Sequence, residues 1–238
     1  MEFHERQSAP EFTSALTKRE LIFVGAGLVL HVFLLPRLLV ALIEAGKISE
    51  PTGNFVLYAF MALSVVILAW GFLRRDFDPL ADRPALVLFE ILSGYFSMMC
   101  FNFLTALILS LFEQTSNPNN AAILDMAVYS ENVTTAMAVF LAPIVEEVLF
   151  RGGIFGFFRK YNRIAAYALT AAAFAIYHLW GFIMLDVKNL VYLIQYIPAA
   201  IILCRVYERS NTVWCPIGMH MLVNFMSLQT ISAVGRMT

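Results

Sequence analysis

AVFLAPIVEEVLFRGGIFGFF, residues 138–158, is an apolar stretch long enough to cross a membrane, yet it carries Glu146, Glu147 and Arg151 in its middle. Its apolar length decides the fold, and its three charges raise the question of function. The same bias holds along the rest of the chain. Of the 238 residues, 60% are hydrophobic and only 14% charged, with a mean hydropathy of +0.74, whereas soluble domains carry about 25% charged residues. The chain is therefore read as all-α: a polytopic membrane helix bundle of about seven or eight transmembrane helices, at roughly 20 apolar residues each. Any chemistry must sit in or against the bilayer.

Apolar runs bounded by polar clusters place spans near residues 21–43, 54–73, 85–112, 133–158, 164–183, 187–204 and 213–232. The connections are short, and no repeat or flexible linker interrupts them, so residues 1–238 form a single membrane domain. Positive charge alternates between the connections. Arg6, Lys18 and Arg19 precede the first span, Arg74, Arg75 and Arg83 follow the second, Arg159, Lys160 and Arg163 the fourth, and Arg205 and Arg209 the sixth. The opposite segments hold only Lys47, Lys188 and Arg236. The positive-inside rule then puts residues 1–20 in the cytoplasm as a tail, and the C-terminus outside.

A formal net charge of −1 gives no basis for neutralising many phosphates, so nucleic acid is not an expected partner. Cys100, Cys204 and Cys215 are odd in number and scattered in apolar sequence, which suits small core residues rather than a disulfide framework or metal site. The first twenty residues are charged throughout and lack an apolar core before a cleavage site. The first span is thus expected to act as a retained anchor.

Glu147 and Arg151 are spaced i, i+4 and can neutralise each other on one helix face. Glu146, about 100° around the helix, is left without a local partner, and an ionisable group in a membrane is a functional hypothesis by default. Its partners are sought on other spans at the same depth. From the turn apex at Asn162, sixteen residues back reach Glu146 and sixteen forward reach His178 in FAIYHLWGF. Both lie roughly 24 Å from the turn at 1.5 Å per residue. In CPIGMHMLVNF, His220 and Asn224 share a face at i, i+4, and Asn224 lies roughly 21 Å from the turn near Ser210. A buried polar site is predicted from the free glutamate, two histidines and the asparagine.

Such a set suits hydrolysis. Glu146 can activate a water, Glu147 with Arg151 can anchor the site, and His178 can orient the water or shuttle its proton. Asn224 and a histidine can donate to a developing oxyanion. Two His and one Glu also make up the ligands of some catalytic zinc sites, although no HExxH occurs here and the ligands would have to come from separate helices.

The segments EEVLFR (146–151), FAIYH (174–178) and HMLVN (220–224) resemble the EExxxR, FxxxH and HxxxN motifs of the CAAX protease and bacteriocin-processing family, also called the Abi or CPBP family. The similarity covers roughly residues 130–230 and extends to RVYERSNTVWCPIGMH, so 126–238 is read as a CPBP-like catalytic core and 21–125 as N-terminal helices without a family signature. The resemblance implies an intramembrane glutamic endopeptidase, independent of cofactor and metal. In it Glu146 and His178 activate the water, His220 and Asn224 line the oxyanion site, and Glu147 and Arg151 support them. It further implies a peptide or lipidated protein substrate met in the lipid bilayer, with a bacterial plasma membrane the expected location. Family members are often drawn with eight helices, so an additional helix within 113–132 is a possible departure from the seven spans. The alternatives are a zinc-dependent version of the peptidase, or a non-catalytic scaffold, immunity factor or small-solute transporter.

Several further polar groups lie in spans. His31 and Arg37 flank a proline kink at Pro36, from which Arg37 is expected to snorkel. Pro143, one turn before Glu146, is expected to bend the fourth span and make room for water. Glu90, Asn102 and Gln195 are expected to hydrogen-bond between helices, with lining a substrate path as the other possibility.

Overall fold

The computed structural model describes residues 12–113 and 117–235, with side chains placed to residue 230. Arg6 and Arg236, and the first part of the proposed tail, lie outside the described residues. Eight helices organise the described chain: α1 (Lys18–Glu44), α2 (Glu50–Leu68), α3 (Pro84–Leu111), α4 (Pro118–Tyr129), α5 (Glu131–Arg159), α6 (Arg163–Leu185), α7 (Val187–Ser210) and α8 (Trp214–Gly235). Six of them, α1–α3 and α5–α7, are long and apolar enough to cross a membrane. With 22 residues, α8 rises about 33 Å and matches the span expected at 213–232.

Helix α4 falls in the segment where an additional helix was considered. Its 12 residues rise only about 18 Å, short of a hydrocarbon core of about 30 Å. The second span ends earlier than expected, because the helix breaks at Ala69 and resumes as the short turn Trp70–Arg75.

Helix α5 is the centre of the bundle: 61% of its membrane window is buried, against 6% for α1. The glycine pair after Arg151 makes this possible. A Cβ on Gly152 would stand 3.0 Å from the Phe72 ring, and one on Gly153 would stand 3.1 Å from a Val24 methyl. An alanine at either place would require Phe72 or Val24 to give by a few tenths of an ångström, so the glycines suit the close approach of α5 to α1 and to the turn at Trp70–Arg75. Among the cysteines, Cys204 and Cys215 are buried as expected but Cys100 is exposed. It sits on α3, only 17% of whose window is buried, so most of that helix faces outward.

Prolines shape α1 and α5 in the same way. Each contains a π-helical turn, Leu30–Leu34 in α1 and Ala136–Leu141 in α5, that closes two residues before a proline, Pro36 or Pro143. A proline contributes no N–H, and its ring crowds the carbonyl one turn back, which favours a widened turn ahead of it.

At the end of the bundle that holds most of the Lys and Arg, three connections are tied together. Asp76 accepts from Ser14 Oγ and from the Val213 amide. Asn211 Oδ1 accepts from the amides of Thr13 and Ser14, and Tyr207 donates to the Ser14 carbonyl at 2.9 Å. Burial outweighs the two donors and pushes the Asp76 carboxyl up to about 6. The folded state therefore holds a proton that the unfolded chain releases near pH 4, and stability falls as pH rises from about 4 to about 6. At about 1.4 kcal/mol per pH unit the loss is at most about 3 kcal/mol. Thermal midpoints in detergent should fall across that window in the wild type and stay level in Asp76→Asn; parallel profiles would exclude Asp76 as the source.

Candidate active site

Glu146 and Glu147 end the α-helical segment Ala142–Glu147, which lies between two π turns, Ala136–Leu141 and Val148–Phe155. A π turn admits one extra residue and re-aims the side chains beyond it, a device frequent at functional sites. The two carboxylates then take different environments. Glu146 lines a cavity of about 710 Å³; Glu147 and Arg151 do not line it.

Glu147 is wholly buried, as is Arg151. Its Oε1 accepts from Arg151 Nη1 at 3.0 Å and from His220 Nδ1 at 2.7 Å. The other Arg151 terminal nitrogen donates to the Ala200 carbonyl at 3.4 Å, and the guanidinium lies 4.6 Å from the centre of the Phe174 ring. Four helices meet at this ion pair: α5, α6, α7 and α8. A planar guanidinium suits the place, since it donates along its edge and stacks on its face. Because a carboxylate only accepts, His220 carries a proton on Nδ1, and the residue also lines the cavity.

Glu146 is buried and Oε2 has no hydrogen-bond partner. Across a gap of 3.6 Å stands His178 Nε2. The His178 Nδ1 lies 2.9 Å from the Phe174 carbonyl of its own helix, and a carbonyl only accepts, so Nδ1 carries the ring proton. In the neutral ring, Nε2 and an ionised Glu146 are thus two acceptors facing each other. A proton on one of them, or a water donating to both, satisfies the pair. The ring is held by Tyr196, stacked at 4.8 Å and 23°.

Asn224 is explained by Pro143. In the π turn, Ala142 donates to Met137, so the carbonyl of Ala138 would next be served by the amide of residue 143, which a proline lacks. Asn224 Nδ2 fills that place at 2.8 Å. One N–H of Asn224 is thereby committed to the backbone of α5, and the other remains. Asn224→Ala should cost about 1–3 kcal/mol by leaving a carbonyl unpaired. If this assignment holds, the loss should shrink in the Pro143→Ala background, where a backbone amide becomes available; thermal midpoints of the four variants in a double-mutant cycle measure it.

The residues expected from sequence are thus brought together in two groups: Glu146 with His178, and Glu147 with Arg151 and His220, with Asn224 at the junction of α5 and α8. Other groups around the cavity had been passed over. Tyr177 bridges His31 Nε2 at 2.6 Å and Tyr58 at 3.1 Å, which brings α1 and α2 into the cavity wall. Tyr177 precedes His178 in FAIYH, and His31 was visible as a polar group in a span, but nothing in the spacing linked them. Gln195 both lines the cavity and accepts from Asn117, the N-cap of α4, so its two expected roles coincide. Glu90 lies away from the cavity, paired with Arg209 at 2.6 Å. Among the described residues no group of three or more His, Cys, Asp or Glu side chains is disposed to hold a metal ion.

Residues 129–226 match the family model described as Type II CAAX prenyl endopeptidase Rce1-like. Over 107 residues the chain is 28% identical to a Bacillus subtilis (strain 168) protein named "Putative membrane peptidase YdiL", a match covering 44% of this chain and 40% of that protein. No solved structure matches the chain. The family match falls on the part of the molecule that holds the two glutamates, and the chain matches well under half the length of the curated relative.

Proposed function

We propose that the chain, whose residues 129–226 match the Type II CAAX prenyl endopeptidase Rce1-like model, is a member of the CAAX protease and bacteriocin-processing family and an intramembrane endopeptidase that hydrolyses a peptide bond with a water activated by Glu146. The observation that carries this reading is the Glu146 carboxylate, lining the cavity with its Oε2 unpartnered and an unprotonated histidine nitrogen 3.6 Å away. A water donating one proton to each would be fixed with its lone pair free. As Glu146 takes the proton, the oxygen attacks the carbonyl carbon and negative charge moves to the carbonyl oxygen. The free N–H of Asn224 and a protonated His220 are the donors for that oxyanion. Glu147 accepts from the His220 ring at 2.7 Å and so fixes its orientation. The proton on Glu146, passed directly or through His178, then goes to the leaving nitrogen as the C–N bond breaks.

The reaction is proposed as metal-independent. What supports this is that the two histidines do not converge: His220 is turned to Glu147 and His178 to Glu146. The proposed substrate is a membrane-associated or lipidated polypeptide entering between helices, and the proposed location is a bacterial plasma membrane with the N-terminus in the cytoplasm. The orientation is supported by seven long helices, by an α4 too short to cross, and by the gathering of Lys and Arg at one end.

The test compares new peptide termini in membranes of cells making wild type or Glu146→Ala at matched levels. Termini that appear only with the wild type are expected. Identical profiles, together with a phenotype that still separates the two forms, would favour a scaffold or transporter instead.

A further inference from the structure

Most of the residues lining the Glu146 cavity come from one half of the bundle. They occupy the C-terminal halves of α1 and α6, the first half of α2, the middle of α3, the start of α4, α5 as far as Glu146, α7 from Gln195 to Leu203 and α8 from His220 to Ser227. From Glu146 the cavity runs past Asn54 and Ile43 to Glu50 and Asn120, beside the α1–α2 connection and the start of α4. None of its lining residues comes from the connections at 69–83, 160–162 or 211–213. Those connections form the opposite end, where Arg74, Arg75, Arg83, Lys160 and Arg209 gather. At the cavity end the connections hold Lys47 and Lys188 beside Glu44, Glu50, Asp125, Glu131 and Asp186.

Resting on the peptidase reading above, we propose that the active-site cavity opens on the non-cytoplasmic face and that its substrate is a polypeptide segment exposed there. The side follows from charge: connections rich in Lys and Arg stay in the cytoplasm, so the end poor in them, where the cavity opens, lies across the membrane. The substrate class follows from the lining. Asn54, Asn102, Asn117, Asn119, Asn120 and Gln195 all face the path to Glu146. Asn117 is engaged as the N-cap of α4 and with Gln195, and Asn54 donates to Met126 Sδ; the remaining amide donors and acceptors offer the same chemistry as the peptide groups of an extended chain. A channel built to hold only a lipid chain would have apolar walls instead.

Two measurements test the proposal. The first uses Cys100→Ser protein carrying either Asn120→Cys at the cavity mouth or Lys160→Cys at the opposite end; both positions are exposed. A membrane-impermeant maleimide should label Asn120→Cys on intact spheroplasts and Lys160→Cys only in inverted vesicles. The reverse pattern would overturn the proposal. The second maps the Glu146-dependent termini onto their parent proteins, and the cut sites are expected in non-cytoplasmic segments. Glu146-dependent cuts in cytoplasmic segments would overturn the proposal while leaving the peptidase reading intact. The expected labelling without any Glu146-dependent terminus would instead remove the peptidase reading, and the substrate assignment with it.

Discussion

Glu146→Gln is expected to reduce peptide-bond cleavage by about a thousandfold while the protein accumulates normally, since a positioned general base contributes roughly 10²–10⁴. The substitution keeps the shape and removes the basic oxygen. The new carboxamide can donate to His178 Nε2 across the 3.6 Å gap, so the site should stay packed and thermal stability in detergent should hold or rise slightly. That pairing of lost turnover with retained stability separates chemistry from architecture. A cavity that merely binds a ligand would tolerate the isosteric amide, so cleavage or function persisting in Glu146→Gln would sink the general-base role.

Arg151→Ala should have the largest effect on stability. It leaves the carboxylate of Glu147, fully buried, with His220 as its one remaining donor, and opens a void against Phe174. Breaking a buried ion pair by removing one partner costs about 3–5 kcal/mol, whereas replacing both partners with neutral groups of similar volume is far milder. Arg151→Ala should therefore accumulate poorly and lose its cooperative melting transition, and Glu147→Gln combined with Arg151→Met should recover most of the loss. Arg151→Lys should recover less, because an ammonium cannot both reach the Ala200 carbonyl and stack on the Phe174 ring. A wild-type melting profile for Arg151→Ala would show that the four helices hold without this pair. The two predictions divide the adjacent glutamates: loss of the Glu146 carboxylate removes turnover, and loss of the partner of Glu147 removes the protein.

Much of this was legible along the chain. Apolar length and polar punctuation located the spans because a hydrocarbon core imposes a minimum helix length. The i, i+4 spacing identified Glu147 and Arg151 as partners because in-helix neighbours follow from helical geometry alone. Equal counts from Asn162 put Glu146 and His178 level because rise per residue is constant, and the two side chains face each other at 3.6 Å.

What the tertiary structure alone decided is how the helices are rotated against one another. Depth is set by counting, but the face a residue presents to another helix depends on packing, and each π turn admits an extra residue that breaks the 3.6 spacing across it. For that reason no count could show that His220 turns to Glu147, or that Asn224 caps the carbonyl orphaned by Pro143. Nor could it join His31, Tyr177 and Tyr58 from three helices into one cavity wall. The chain determined by itself that it spans the membrane and which residues stand at one depth. Packing decided that the Glu147–Arg151 pair is sealed with His220 between four helices while Glu146 is left facing the cavity and His178.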